Sequence, residues 1–302
     1  MTTRDNINKA LKLYNSCSSK FTNMLPWTEP IPDRISTAID ILKQCILEYK
    51  ITKNLDNQIK YSFLMDTFYD EYYKYTHDRL CKSSQAVNLK ELIQLCEKDN
   101  KNTFINNTDI KHNIFDLINK FTKTSEETGE ENNMISCYKF ILEFYKNPLT
   151  ETQINFVCEI YEKIRNIKGE YDERFGDLLV TQKQNYTRGA EIYEEIANNR
   201  TDKSTKFSID VLLMKAFICY LCVDEVLAER KLNEYEINFS IITNTMNFKL
   251  CRNIMTEYKN RDVDKYIDYI RDYNDIKRLD DYIVGLLNKI KKQITTEEID
   301  LC

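Results

Sequence analysis

Apolar residues recur at helical spacing along most of the chain. Over 5–17 they fall at Ile7, Ala10, Leu11 and Tyr14, the stripe of an amphipathic helix. Pro26, Pro30 and Pro32 interrupt the pattern. A second helix is predicted from Asp33, whose carboxylate is placed to cap it, through Ile35, Ala38, Ile39, Leu42, Ile46 and Tyr49. The period returns over 55–80, 89–96 and 114–121. Two polar stretches, 99–113 and 122–133, read as loops or frayed ends. Beyond Met134, helix pairs follow almost without break. A strongly apolar helix is expected over 212–227. The last helix, over 279–294, carries Ile283, Leu286, Leu287, Ile290 and Ile294 on one side. Lys289, Lys291 and Lys292 lie near its end, where the helix dipole favours cations. The chain then turns acidic and is expected to lose order.

Five glycines and four prolines in 302 residues leave few tight turns, which disfavours sheet-rich folds. Related phrases begin at Ala190, Ala228 and Val263, 38 and 35 residues apart, the size of one helix hairpin in tetratricopeptide-like arrays. The expected fold is all-α: a right-handed tetratricopeptide-like solenoid of helix hairpins over 1–235, closed by a C-terminal helical bundle with an acidic tail over 236–302.

A net charge of −5 argues against general nucleic-acid binding, which wants a positive field. No stretch reads as a secretory signal, and none reaches the roughly 18 apolar residues of a membrane span. The ten cysteines are therefore expected to be reduced in a cytoplasmic protein. Two histidines, His77 and His112, are too few and too far apart for a metal site or a triad. Cys219 and Cys222 have the spacing of a redox or zinc pair but lie in an apolar helix, where cysteine packs as a small hydrophobe. The scattered glycines form no phosphate loop. These features point to a non-enzymatic protein without metal or cofactor.

Three runs and the tail carry more specific information: Asn185-Tyr-Thr-Arg-Gly-Ala-Glu-Ile-Tyr-Glu194, Lys215-Ala-Phe-Ile-Cys-Tyr-Leu-Cys-Val-Asp224, Asp275-Ile-Lys-Arg-Leu-Asp-Asp-Tyr282, and Thr295-Thr-Glu-Glu-Ile-Asp-Leu-Cys302. Their order resembles the soluble NSF attachment proteins (SNAPs), the alpha type in particular. The resemblance implies an adaptor that couples an NSF-type AAA ATPase to SNARE bundles, several copies to a bundle, peripheral on endomembranes.

It also implies an ATPase-stimulating end at Leu301 with Asp300, Glu298 and Glu297, and an ATPase contact at Asp224, which can equally be a helix cap. Where the family carries a Glu-rich cluster, this chain has Thr256-Glu-Tyr-Lys-Asn260, so either the partner ATPase has changed to match or that contact shifts to Glu257, Asp262 and Asp264. Phe21, Met24, Leu25 and Trp27 occupy the place of a membrane-touching loop, and Trp and Phe favour the bilayer interface. Lys139, Lys163, Arg165 and Lys168 are candidate SNARE contacts. A gamma-type member or an unrelated tetratricopeptide-like scaffold remain as alternatives.

Overall fold

The computed structural model describes residues 2–18, 28–98, 114–145, 149–200 and 206–299, with 206–208 and 296–299 described as backbone only. Among the described residues every regular element is helical, fourteen α-helices and one 3-10 turn, as the scarcity of breakers implies. The chain divides into two compact units, 1–144 and 145–302.

The first unit holds α1 (Thr3–Cys17), α2 (Ile31–Ile51), α3 (Leu55–Thr76), α4 (Arg79–Lys98), α5 (Ile114–Glu127) and α6 (Glu131–Phe144). Successive helices pack against each other. Ala10, Ile35, Ala38, Leu42 and Phe68 are fully buried between α1, α2 and α3, and the rings of Tyr14 and Phe68 stack at 4.0 Å. Thr2 and Asp5 form a capping box at the start of α1.

Three expectations need correction here. α2 begins at Ile31, before Asp33. Pro30 is its N-cap and Pro32 lies in the first turn, where a missing N–H leaves no helical bond unmade, and Asp33 meets the positive end of the dipole instead. The apolar run over 55–80 is two helices. His77 takes a left-handed φ of 49°, turning the backbone while the apolar period reads on, and α4 then extends unbroken through 89–96. The polar stretch 122–133 is mostly helical. Thr122, Thr124 and Ser125 are buried, and Thr122 Oγ1 donates to the Ile118 carbonyl at 2.8 Å. Small hydroxyl side chains can be buried in a helix by bonding to its own backbone, and hydropathy alone does not register this. The expected loop over 99–113 lies outside the described residues.

The second unit holds α7 (Glu151–Lys168), α8 (Glu173–Thr181), α9 (Tyr186–Asn199), α10 (Lys206–Leu221), α11 (Glu225–Asn238), a 3-10 turn (Ser240–Ile242), α12 (Met246–Asn260), α13 (Val263–Ile276) and α14 (Asp281–Ile299). The repeated phrases open or lie in α9, α11 and α13, one per hairpin. Ala190 and Ala228 are fully buried with Tyr193, Tyr235 and Tyr266 close behind them. The expected boundary at 235/236 falls just before the end of α11.

Helix α10 is apolar on all sides and packs against α9, α11, α12 and α14 at once, the position such a helix requires. It does not run to Leu227 as expected. Asp224 turns extended and starts α11, with its Oδ1 accepting from the Leu227 N–H at 2.8 Å. The apolar stripe of α14 is buried as expected, from Ile283 through Leu286, Leu287 and Ile290 to Ile294. The helix itself continues to Ile299, so order persists past 294, because nothing before that point breaks a helix.

Two glycines let α8 and α9 approach closely. A Cβ at Gly176 on α8 would sit 2.5 Å from the Tyr193 ring, and one at Gly189 on α9 would sit 2.5 Å from a Val180 methyl. The Tyr193 ring is fully buried and cannot swing away. Gly176→Ala is therefore expected to lower stability by about 1–2 kcal/mol, because overpacking outweighs the gain of about 1 kcal/mol in helix propensity. Gly285→Ala in α14, where a Cβ meets nothing within 4 Å, should instead raise the melting temperature. Thermal unfolding followed by circular dichroism separates the two; a stabilising Gly176→Ala would refute the close approach.

Candidate functional site

The runs that carry the resemblance converge in the second unit on two carboxylates. Asp177, on α8, accepts from the Tyr193 hydroxyl at 2.6 Å, the Tyr282 hydroxyl at 2.8 Å and the Lys215 ammonium at 3.1 Å. These donors come from α9, α14 and α10, so one carboxylate gathers four helices. Lys215 is 6% exposed and also reaches Glu173 Oε1 at 2.8 Å. Its ammonium lies 5.5 Å from the Tyr193 ring and 5.4 Å from the Tyr282 ring, near enough for cation–π attraction to both.

Burial works against the Lys215 charge, but Glu173, Tyr282 and Asp177 outweigh it and hold its pKa above the ordinary value. Burial, with Tyr282 and Asp177, pushes Tyr193 up as well.

Next in sequence, Glu194 is the second gathering point. It accepts from the Tyr220 hydroxyl at 3.0 Å, the Tyr235 hydroxyl at 2.6 Å and Lys231 at 3.0 Å, tying α9 to α10 and α11. Charge-assisted bonds of this kind contribute about 1.5–3 kcal/mol each when buried. Tyr266 fixes α13 to α14 by donating to the Leu287 carbonyl at 2.9 Å.

Around these ties lies the face formed by α7, the turn after it, and α9. Gly169 ends α7 at φ 77°, and the chain returns so that Tyr171 lies between two guanidinium groups, Arg165 at 5.2 Å and Arg188 at 5.6 Å from its ring. Arg188 donates to the Tyr171 hydroxyl at 2.8 Å, and that hydroxyl donates to Glu162 at 3.1 Å. Beside them is a cavity of about 420 Å³. Its rim carries Lys168, Arg174 and Arg200 facing Glu170, Asp172 and Glu173, a mixed-charge surface suited to a polar partner.

The structure brings three of the four candidate SNARE contacts together on α7. Lys168 is exposed and Lys163 half-buried. Arg165 is partly engaged inside the unit, through Tyr171 and through Glu195 at 3.4 Å. Lys139 is exposed on α6 of the other unit. Asp224 is exposed and serves as the N-cap of α11. Of the alternative acidic contacts, Glu257 is buried on α12, Asp262 caps α13 and Asp264 follows in its first turn.

Glu297 and Glu298 are backbone positions of α14, while Asp300 and Leu301 lie outside the described residues. The loop residues Phe21, Met24, Leu25 and Trp27 also lie outside them. Cys219 and Cys222 are buried, and burial pushes the Cys222 thiol up to about 12, so both pack as hydrophobes.

Asp177 and Glu194 were not singled out by sequence reasoning. The available signal was Lys215, a cation set in the apolar run Val211–Leu221, which has to find a buried partner. Lys215→Met is expected to cost about 2 kcal/mol, less than the 3–5 typical of a broken buried pair, because Asp177 and Glu173 are about one-third exposed and water screens them.

The sign of the pH dependence follows from the raised pKa values. The stabilisation from Lys215 is complete below its ordinary 10.5, and that from Tyr193 below its ordinary 10.0. Both are lost as pH rises beyond, so the melting temperature should fall above about pH 10. In Lys215→Met combined with Tyr193→Phe, that alkaline slope should flatten; an unchanged slope in a scan from pH 8 to 11 would remove the tie from the stability of the unit.

The family model described as "Soluble NSF attachment protein, SNAP" matches residues 173–295, the segment that contains both gathering carboxylates. The alpha-soluble NSF attachment protein of Homo sapiens is 29% identical over 119 residues, 39% of this chain and 40% of that protein. The Dictyostelium discoideum alpha protein is 23% identical over 194 residues, 54% of this chain and 65% of that protein. A soluble NSF attachment protein homolog of Fowlpox virus is 22% identical over 202 residues, 63% of this chain and 72% of that protein. The matched segment spans about two fifths of the length of the human and mouse relatives. Through this segment the chain is similar to the soluble NSF attachment proteins.

Proposed function

We propose that this protein is a non-enzymatic adaptor of vesicle fusion, one that grips a SNARE bundle and recruits and stimulates an NSF-type AAA ATPase that takes the bundle apart. In this reading residues 1–235 supply the grip, and 236–302 form the bundle that faces the ATPase. The observation that carries it is the coincidence of the family match with the unit whose last helix is fastened at Tyr282 and along its buried stripe. That helix includes Glu297, Glu298 and Ile299, and Asp300-Leu301 follow in the sequence. A leucine among carboxylates, following a fastened helix in the sequence, suits a small apolar anchor set beside basic residues of a partner.

Lys168 and Lys163, with Lys139 on the other unit, offer cations for an acidic helical bundle, each worth little alone. Several copies on one bundle would supply avidity. The loop bearing Phe21, Met24, Leu25 and Trp27 would add membrane contact and raise the local concentration at a fused bilayer, placing the protein peripherally on endomembranes. No described helix is long and apolar enough to cross a membrane.

The test is ATP hydrolysis by an NSF-type ATPase with an assembled SNARE complex and the full chain. The wild type should stimulate turnover. Leu301→Ala should lower the stimulated rate at limiting adaptor about tenfold, the loss of one buried leucine contact, with SNARE binding unchanged. Absence of stimulation by the wild type would overturn the reading, and full stimulation by Leu301→Ala would remove the tail from it. Flotation with anionic vesicles tests the loop separately: Leu25→Ser with Trp27→Ser should leave most of the protein in the dense fraction, and equal flotation of variant and wild type would refute the anchor.

A further inference from the structure

The first unit carries a surface that none of the contacts named for the adaptor reading occupies. α2 and α4 both pack against α3 but make at most marginal contact with each other, so a groove opens between them over α3. Its volume is about 430 Å³, within the range of binding clefts. The floor is Met65 and Tyr69 of α3. Each rim offers one exposed aliphatic side chain, Leu47 on α2 at 57% exposure and Val87 on α4 at 61%. Ile51, a turn beyond Leu47, prolongs the apolar edge of α2 at 74% exposure. Large aliphatics this exposed, facing each other across an open cleft, leave apolar area in water that a partner could cover.

The charges beside them are of opposite sign. Lys50 lies one turn past Leu47 and Glu91 one turn past Val87. Both are exposed, and neither has an ion-pair or hydrogen-bond partner among the described residues. Lys43 also lines this rim, its ammonium 5.9 Å from the Tyr69 ring centroid and paired with Asp40 at 3.2 Å, so Lys50 is the rim's unpaired cation among the described residues. The groove is thus apolar along its floor, cationic along one wall and anionic along the other.

From this we infer that the α2–α4 groove docks one amphipathic α-helix of a partner, with its apolar stripe on Met65 and Tyr69, an acidic flank against Lys50 and a basic flank against Glu91. A helix fits because two ridges flanking a recessed third helix form a trough for i, i+4, i+7 anchors, and the helix satisfies its own backbone bonds there. The surface lies outside residues 173–295 and does not depend on the SNARE and ATPase reading.

The probe is a fluorescein-labelled 18-residue helical peptide with leucines at i, i+4, i+7 and i+11, glutamates on one flank of the stripe and lysines on the other. A second peptide carries lysines on both flanks. Anisotropy titration of the full chain should show the mixed peptide binding about fivefold tighter than the all-lysine one. Val87→Asp should weaken the mixed peptide at least tenfold. Lys50→Glu should reverse the preference, so that the all-lysine peptide binds tighter. All substituted side chains are exposed, and circular dichroism verifies the fold.

Failure of both peptides to bind, equal binding of the two, or an unchanged preference in Lys50→Glu would each overturn the proposal. So would sedimentation of the chain as a dimer that Val87→Asp dissociates, since the groove would then be an interface between copies. None of these results touches ATPase stimulation, so the two readings fail separately.

Discussion

The second unit depends on one buried cation finding its carboxylates. Lys215 lies in the middle of α10, the helix that all its neighbours cover, and a charge there is tolerable only if it is paired. Asp177 and Glu173 supply the opposite charge from α8, and the phenols of Tyr193 and Tyr282 donate to the same Asp177 oxygen, Oδ1, from α9 and α14. Hydrophobic contact alone would permit α8, α9, α10 and α14 to slide on one another. A carboxylate with three directed donors permits one arrangement.

That arrangement is possible only because the backbone gives way beside it. Gly176 immediately precedes Asp177, and its missing Cβ leaves the space the Tyr193 ring fills. Gly189 on α9 does the same for Val180 on α8. In a chain with so few glycines, two stand in the contact between α8 and α9. The polar tie and the close approach are one design: the ring can donate to Asp177 because its own edge lies against a glycine.

The fold class was legible because a 3.6-residue period survives without any knowledge of partners. The stripe from Ile283 to Ile294 and the alanine-to-tyrosine phrases at α9 and α11 are set by burial along a single helix. Helix ends were less legible. Pro32 and Asp33 satisfy two different start rules, and His77 interrupts a run whose apolar spacing continues across the break. Thr122 reads as a loop residue because its bond to the local backbone leaves no mark on hydropathy.

The gathering carboxylates were the least legible. Asp177 meets Lys215 across 38 residues and Tyr282 across 105, and no local pattern encodes a partner that distant. The runs that carried the family resemblance nevertheless hold Tyr193, Glu194, Lys215, Tyr220 and Tyr282, the side chains that make these ties.

The fastening of α14 also has a mechanical meaning. Tyr282 near its start reaches Asp177, Leu287 accepts from Tyr266, and Gln293 donates to the Cys222 carbonyl, so the helix is bolted at intervals to α8, α13 and the end of α10. Tension applied at its far end and directed along its axis would load those bolts together, in shear. The same tension directed away from the unit would open them one after another, from Gln293 back towards Tyr282. The resistance of the chain's end thus depends on the direction in which it is drawn.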